Sequence, residues 1–397
     1  MKKVLFLCNS YISGGAERAF VSLLQSLPLD QIETHIIAIK EEGLFKDQLP
    51  KDIIIQHAPN ELATTFASIK SRYFWKRAGI KDIYRKVSTI VKGKLTSVSK
   101  RLNSQQYFWS EVKTAVPKNE IKYDVVISFM NGFCNYYAID KVEAKRKYLW
   151  VHNDYNKIGY NSEYDQIFFE KATGIITISE ICADSLKENF PNLIDKISVI
   201  ENISPTTLIR NRSKEQITDI DTSTFDITFI SVGRLNQQKG YDMAIEAANI
   251  LNKKGVNFCW YVIGEGELLK EMKKNIVEKG LEKRFILLGT KSNPYTYIKN
   301  ADIFVMTSRY EGKSIALDEA KILCKPIVST KYPSVYDNIE DGINGILVEQ
   351  DATSIADALY KLSADKDLRE KLAKHLSQNN TSNEDAVVRQ IMDLINQ

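Results

Sequence analysis

Short runs of β-branched and apolar residues alternate along this chain with longer stretches whose apolar positions recur every three or four residues. That alternation is the pattern of βαβ units built around parallel sheets. In the first half it predicts strands at 3–8, 35–39, 53–56, 124–129, 148–151, 174–178 and 197–200. Residues 63–115 interrupt the series without a strand signal and read as helices. Residues 203–225 are polar, poor in strand formers and contain Pro205, so they read as a connecting segment. Alternation then restarts, with strands at 226–232, 258–263, 285–288, 303–306 and 326–329 and helices at about 240–253, 267–279, 314–323 and 353–363. A last amphipathic helix is predicted at 384–396. The expected fold is α/β: two doubly wound, Rossmann-like domains, 1–203 and 226–380, joined by a linker at 204–225. The segment 381–397 is free to pack back on the first domain. Such sheets bind ligands at the carboxyl ends of their strands.

Length agrees with two domains, since 397 residues exceed what one core supports. Composition is that of an ordinary folded protein, 44% hydrophobic and 26% charged without a biased tract, which argues against disorder. No apolar run approaches the roughly 20 residues of a membrane-spanning helix. Met1, Lys2 and Lys3 followed by Val4 to Cys8 imitate a signal peptide, but the run is too short for an h-region and no small-residue cleavage site follows, so it reads as a first strand. Cys8, Cys134, Cys182, Cys259 and Cys324 are odd in number and show no metal-site spacing. Buried thiols in a reducing, cytoplasmic setting are the expectation.

The net charge of +4 is too small to point to nucleic acid. Its distribution is more informative. Residues 70–101 hold 11 basic side chains and one acid, Asp82, mixed with Tyr73, Phe74, Trp75, Ile80 and Tyr84. Lys70, Arg72, Lys76, Arg77, Lys81 and Arg85 are therefore candidates for contact with an anionic membrane surface or an acceptor held there. A solvated basic helix is the plainer reading.

Four segments carry candidate chemistry. In Ser231-Val-Gly-Arg-Leu-Asn-Gln-Gln-Lys-Gly240 a strand runs into a glycine, then Arg234, with Lys239 just before the next helix. Two fixed cations at a strand end and a helix N-terminus suit a diphosphate. In Ser308-Arg-Tyr-Glu-Gly-Lys-Ser-Ile-Ala-Leu-Asp-Glu319, Glu311 and Glu319 stand eight apart, Glu311 in a loop and Glu319 about two helical turns on. Carboxylates accept hydrogen bonds from hydroxyls, and the backbone of Gly312 to Ile315 is open to a ligand. On spacing alone two surface glutamates are the favoured reading. Gly312-Lys313-Ser314 is not a P-loop, because Thr307 occupies a required glycine position. Gly14 and Gly15, after the first strand, allow close backbone approach and positive φ. His152, immediately after a short apolar strand, is the histidine best placed for catalysis, although a lone histidine is more often structural.

In this order and spacing the segments resemble family 4 of the retaining, GT-B-fold glycosyltransferases, the type that builds bacterial polysaccharides and glycolipids. The likeness extends over nearly the whole chain and includes Lys325-Pro-Ile-Val328 and Asp341-Gly-Ile-Asn-Gly345. It implies two domains facing each other across a cleft, and a metal-independent, retaining, hexosyltransferase-like enzyme without a cofactor. The implied partners are a nucleotide-sugar donor, with UDP favoured, and a glycan or lipid-linked acceptor, and no nucleic acid. Arg234 and Lys239 would hold the donor diphosphate, Glu311 the transferred sugar and Glu319 the ribose. Backbone amides of Lys313, Ser314 and Ile315 would also face the donor, as would Gly15 from the opposite domain. His152 would approach the sugar, and Thr290 lies in the segment that would meet the base. His152, Glu311, Arg234 and Lys239 would thus be the catalytic set. Lys313 and Asp318 depart from the family, which usually carries apolar or aromatic residues at those positions. A sugar-nucleotide epimerase or a non-catalytic sugar-nucleotide-binding protein would share much of this pattern.

Overall fold

The inner strands of the first unit, covered on both faces, are mostly apolar and need no polar side, and all seven of its strands run parallel. They are β1 (Lys2–Ser10), β2 (Ile32–Lys40), β3 (Ile54–His57), β4 (Lys122–Ser128), β5 (Glu143–Val151), β6 (Gly174–Thr177) and β7 (Ile197–Val199), in sheet order β3-β2-β1-β4-β5-β6-β7. β8 (Ile227–Val232), β9 (Phe258–Ile263), β10 (Phe285–Gly289), β11 (Ile303–Met306), β12 (Ile327–Thr330) and β13 (Ile346–Val348) form a second parallel sheet in order β10-β9-β8-β11-β12-β13. Strand order therefore reverses between β1 and β4 in one sheet and between β8 and β11 in the other, the switch points where doubly wound sheets receive ligands. This is a computed structural model describing residues 1–397 apart from 13, 96–101, 218, 221–222 and 380–381, with backbone only at 94–95.

The second unit comprises Ile203–Asp385 with Gly14 and Gly15, and the first comprises Met1–Ile12, Ala16–Asn202 and Ala386–Gln397. The core of the second is aromatic across neighbouring strands: Phe229 stacks on Phe258 at 5.6 Å, and Trp260 lies against Phe285 at 5.4 Å. The Trp260 indole donates to Ser231 Oγ at 3.0 Å, and Ser231 donates on to the carbonyl of Val305 at 2.6 Å. Both polar groups are thereby satisfied, and β8 is tied to β11 at the switch point.

The helix Glu384–Asn396 returns to the first unit. Val387, Ile391 and Ile395 are its buried stripe. Lys2 Nζ donates to the carbonyls of Ile395 and Asn396, and Arg146 to those of Leu394 and Ile395, so two cations satisfy the exposed acceptors of the last turn.

One reading of the sequence needs correction, and two elements escaped it. Part of the supposed linker is a helix, Thr206–Arg212, whose Ile209 is 1% exposed in the core of the second unit; residues 218 and 221–222 of that segment lie outside the described residues. β13 escapes a periodicity reading because it has three residues. The helix Lys366–Gln378 escapes because Leu368, Leu372 and Leu376 are nearly its only apolar residues, although Asp365, whose carboxylate accepts from Leu368 N at 2.8 Å, is a start signal in the sequence.

Candidate functional site

The second unit gathers its candidate residues at the carboxyl ends of β8 and β11. Gly233 follows β8, and a Cβ there would come within 2.8 Å of Lys239 Cε, so glycine leaves the space that the lysine chain crosses. Gly240 is left-handed, with φ of 61°, and a Cβ would stand 2.2 Å from the carbonyl of Thr307. That close approach lets Thr307 Oγ1 donate to the carbonyl of Lys239 at 2.8 Å, which fixes one loop against the other.

Lys239 Nζ then meets Glu311 Oε1 at 2.6 Å, with the two side chains only 15% and 9% exposed. Ser308 Oγ donates to the same carboxylate oxygen at 2.6 Å, and Gln238 Nε2 donates to Oε2 at 3.2 Å. From the loop after β12, Ser334 Oγ donates to the Glu311 carbonyl at 2.8 Å. Glu311 is thus a nearly buried carboxylate held by one cation and two neutral donors. Arg234 is its opposite: exposed, and without a side-chain hydrogen bond or ion pair among the described residues. A pocket lined by Ser231, Lys239, Tyr241, Val305, Met306 and Ser308 opens between the strands. Burial pushes the phenol of Tyr241 well above its usual range, and the charge of Glu311 adds to the effect, so its OH stays protonated and reaches the Gly233 carbonyl at 3.3 Å.

The helix Ile315–Ile322 begins four residues after Glu311. Glu319 therefore sits one turn into that helix rather than two, and it is 1% exposed. Neither glutamate is a surface residue. Ser314, at the cap position, is 5% exposed, and its hydroxyl is buried with no protein partner. The positive end of this helix and the unpartnered Ser314 hydroxyl are what an anionic oxygen would satisfy. Lys313 and Asp318, the two departures from the family pattern, form one feature: they face each other at 4.0 Å, 11% and 14% exposed. Thr290 directly follows β10, half-buried, after Gly289 at φ of 68°.

Gly14 and Gly15 follow β1 in sequence, and Gly15 is the first residue of the helix Gly15–Ser26. Gly15 opens that helix and is not among the described glycines with positive φ, so what it supplies is space rather than backbone freedom. His152 directly follows β5, 6% exposed, its ring 4.8 Å from that of Phe129. Its Nε2 lies 2.5 Å from the Phe129 carbonyl. A carbonyl can only accept, so Nε2 carries the proton and Nδ1, buried and without a protein partner, keeps its lone pair. Burial lowers the imidazole from its ordinary 6.5 to about 4, against the opposing pull of that hydrogen bond. His152 is therefore a neutral imidazole near pH 7, with its acceptor nitrogen unpartnered. Because the folded state disfavours its protonation, the stability it contributes is full above pH 6.5 and is lost as pH falls toward 4. Between pH 7.5 and 5 the native protein should lose about 2 kcal/mol more than His152→Asn, read by denaturant melts at both pH values; equal losses would place the titration elsewhere.

The basic segment divides. Arg77 is spent on Glu41 at 2.8 Å, and Arg85 on Asp82, so neither is a free surface cation as the sequence reading had it. Lys70, Arg72, Lys76 and Lys81 are exposed, and residues 96–101 lie outside the described residues. Sequence reasoning missed Gln238, Ser308, Ser334 and Phe129. The first two adjoin named residues and were within reach of a closer reading, whereas Ser334 and Phe129 join their partners only through the sheet.

Two Rossmann-like domains, the second with a cation-lined switch point, define the GT-B class of fold. Residues 213–379 match the model of the family described as Glycosyl transferases group 1, and that match supports a glycosyltransferase of the GT-B fold. It is 28% identical over 380 residues to a Campylobacter jejuni protein named as an N-acetylgalactosamine-N,N'-diacetylbacillosaminyl-diphospho-undecaprenol 4-alpha-N-acetylgalactosaminyltransferase, covering 93% of this chain and 92% of that one. An Escherichia coli UDP-Gal:alpha-D-GlcNAc-diphosphoundecaprenol alpha-1,3-galactosyltransferase is 29% identical over 196 residues, 48% of this chain and 49% of its own. The crystal structure of Anabaena HepE in complex with UDP and glucose superposes with a TM-score of 0.73 at 15% identity, covering both chains fully. The chain spans half or less of the length of the first curated relatives it matches: 50%, 38% and 36%.

Proposed function

We propose that this protein transfers a sugar, with retention of configuration, from a UDP-sugar to a glycan or lipid-linked acceptor of cell-surface polysaccharide or glycolipid synthesis. The carrying observation is the buried Lys239–Glu311 pair, with an uncommitted Arg234 and the unpartnered Ser314 hydroxyl in the segments that follow β8 and β11 at the same switch point. That set suits a diphosphate joined to a hydroxyl-rich ring, with cations and amides for the phosphates and carboxylates for the hydroxyls. The names of the Campylobacter and Escherichia relatives, and the UDP and glucose held by HepE, support a donor and acceptor of this kind.

In the proposed step the sugar–diphosphate bond breaks as the acceptor oxygen bonds to the same face of the anomeric carbon. The leaving diphosphate takes up the bonding electron pair and then the acceptor's hydroxyl proton. Charge accumulates on the phosphate oxygens, so preorganised cations there lower the barrier most. Arg234 and Lys239 do in this reading what a divalent ion does elsewhere, and Glu311 orients the sugar. A thermal-shift screen of UDP- and GDP-sugars tests it. UDP-sugars should raise the melting temperature of the native protein and fail to do so for Arg234→Ala; equal stabilisation of both proteins would remove the diphosphate site.

A further inference from the structure

The helices Arg72–Arg77 and Ile80–Leu95 present two unlike faces. Inward, Tyr73 and Phe74 are buried, and Lys86 Nζ is committed to the Thr65 carbonyl at 2.5 Å, above the ring of Phe108. Outward, Ile80 is 88% exposed, Tyr84 76%, Val87 43% and Val91 49%, with Trp75 at 57% beside them. Positions 80, 84, 87 and 91 fall on one stripe of the helix, because residues three and four apart stack on one face. An apolar stripe left in water on a folded protein marks a docking surface.

Its flanks say what docks. Lys70, Arg72, Lys76 and Lys81 are exposed, and none forms an ion pair among the described residues. The one acid between 70 and 92 is Asp82, and it is occupied by Arg85 and by the amide of Gly79 at 3.0 Å. Lys92 is paired with Glu111 at 3.4 Å and adds little. A second copy of this chain seated symmetrically on the stripe would bring like cations together. Aromatic and aliphatic residues edged by free cations fit a surface that is apolar beneath and anionic on top.

We propose that this face docks on an anionic lipid bilayer, with the Ile80–Tyr84–Val87–Val91 stripe and Trp75 at the headgroup boundary and the four free cations among the headgroups. Docking would serve the lipid-linked acceptor of the proposed transferase reading, but it is argued from this surface alone. Cosedimentation of the full chain with phosphatidylcholine vesicles, with and without phosphatidylglycerol, tests it. Binding should require the anionic lipid and weaken with salt. It should fall about five-fold for each of the four cations changed to Gln and on the order of several hundred-fold for all four. Tyr84→Asp with Ile80→Asp should lose binding as well, with the melting temperature retained because both sites are exposed. Absent binding, equal binding to neutral vesicles, or binding indifferent to both variants overturns the proposal. A native dimer that Tyr84→Asp converts to a monomer also overturns it, because the face then belongs to self-association. UDP stabilisation measured alongside keeps the readings apart: its loss counts against the donor site, and failed sedimentation with UDP stabilisation intact counts against docking alone.

Discussion

Arg234→Ala is expected to lower kcat/KM by about 10²- to 10³-fold, the range for removing one preorganised group at a developing charge, while leaving the melting temperature within the scatter of a surface substitution. The argument rests on what Arg234 lacks. It is exposed, two residues past β8, and no described side chain engages it. A guanidinium so placed contributes nothing to the fold that its removal could cost. Its planar fork is available to phosphate oxygens, whose charge is greatest when the sugar bond breaks. The loss should therefore appear in kcat more than in KM, and Arg234→Lys should recover only part of it. Kinetics within a few-fold of the native enzyme would show that the charge develops elsewhere.

The second large effect is on stability and comes from the neighbouring pair. Glu311→Ala leaves the Lys239 ammonium, 15% exposed, without its one side-chain partner among the described residues, a loss of about 3 kcal/mol. For a unit of this size that is roughly 6–12 °C in melting temperature. Lys239→Ala should cost about half as much, because Ser308 and Gln238 still donate to the Glu311 carboxylate. The double variant should lose less than the sum, with a coupling of about 1–3 kcal/mol in a double-mutant cycle. Additive losses, or a stable Glu311→Ala protein, would mean that the pair is held together by its loops and does not hold them. The same pair matters to function, since its members neutralise each other in the free protein. In the proposed reading the donor's phosphates and hydroxyls must divide Lys239 from Glu311, so part of the binding energy goes into opening that bond.

The strands were legible in the sequence for a simple physical reason. Parallel strands buried on both faces become unbroken apolar runs, and 258–263 and 303–306 were read to the residue. Elements that rest on few contacts, such as β13 and the three-leucine helix Lys366–Gln378, were not. At the site, residue types were legible and their couplings were not. The sequence placed Arg234 and Lys239 together as two like cations, whereas the fold makes one of them half of an ion pair and leaves the other free. It read His152 as a catalytic candidate, but only the backbone carbonyl of Phe129, which has no signature of its own, shows that the ring is a neutral acceptor.

The return of the helix Glu384–Asn396 to the first unit bears on how the chain is made. The second unit is essentially contiguous and can close its core as soon as it leaves the ribosome. The first has all its strands by residue 199 but must wait for the final residues of this sequence to cover the end where Lys2 and Arg146 stand. A fragment ending near residue 202 would therefore carry all seven strands with that end uncovered and two cations lacking the helix end they cap.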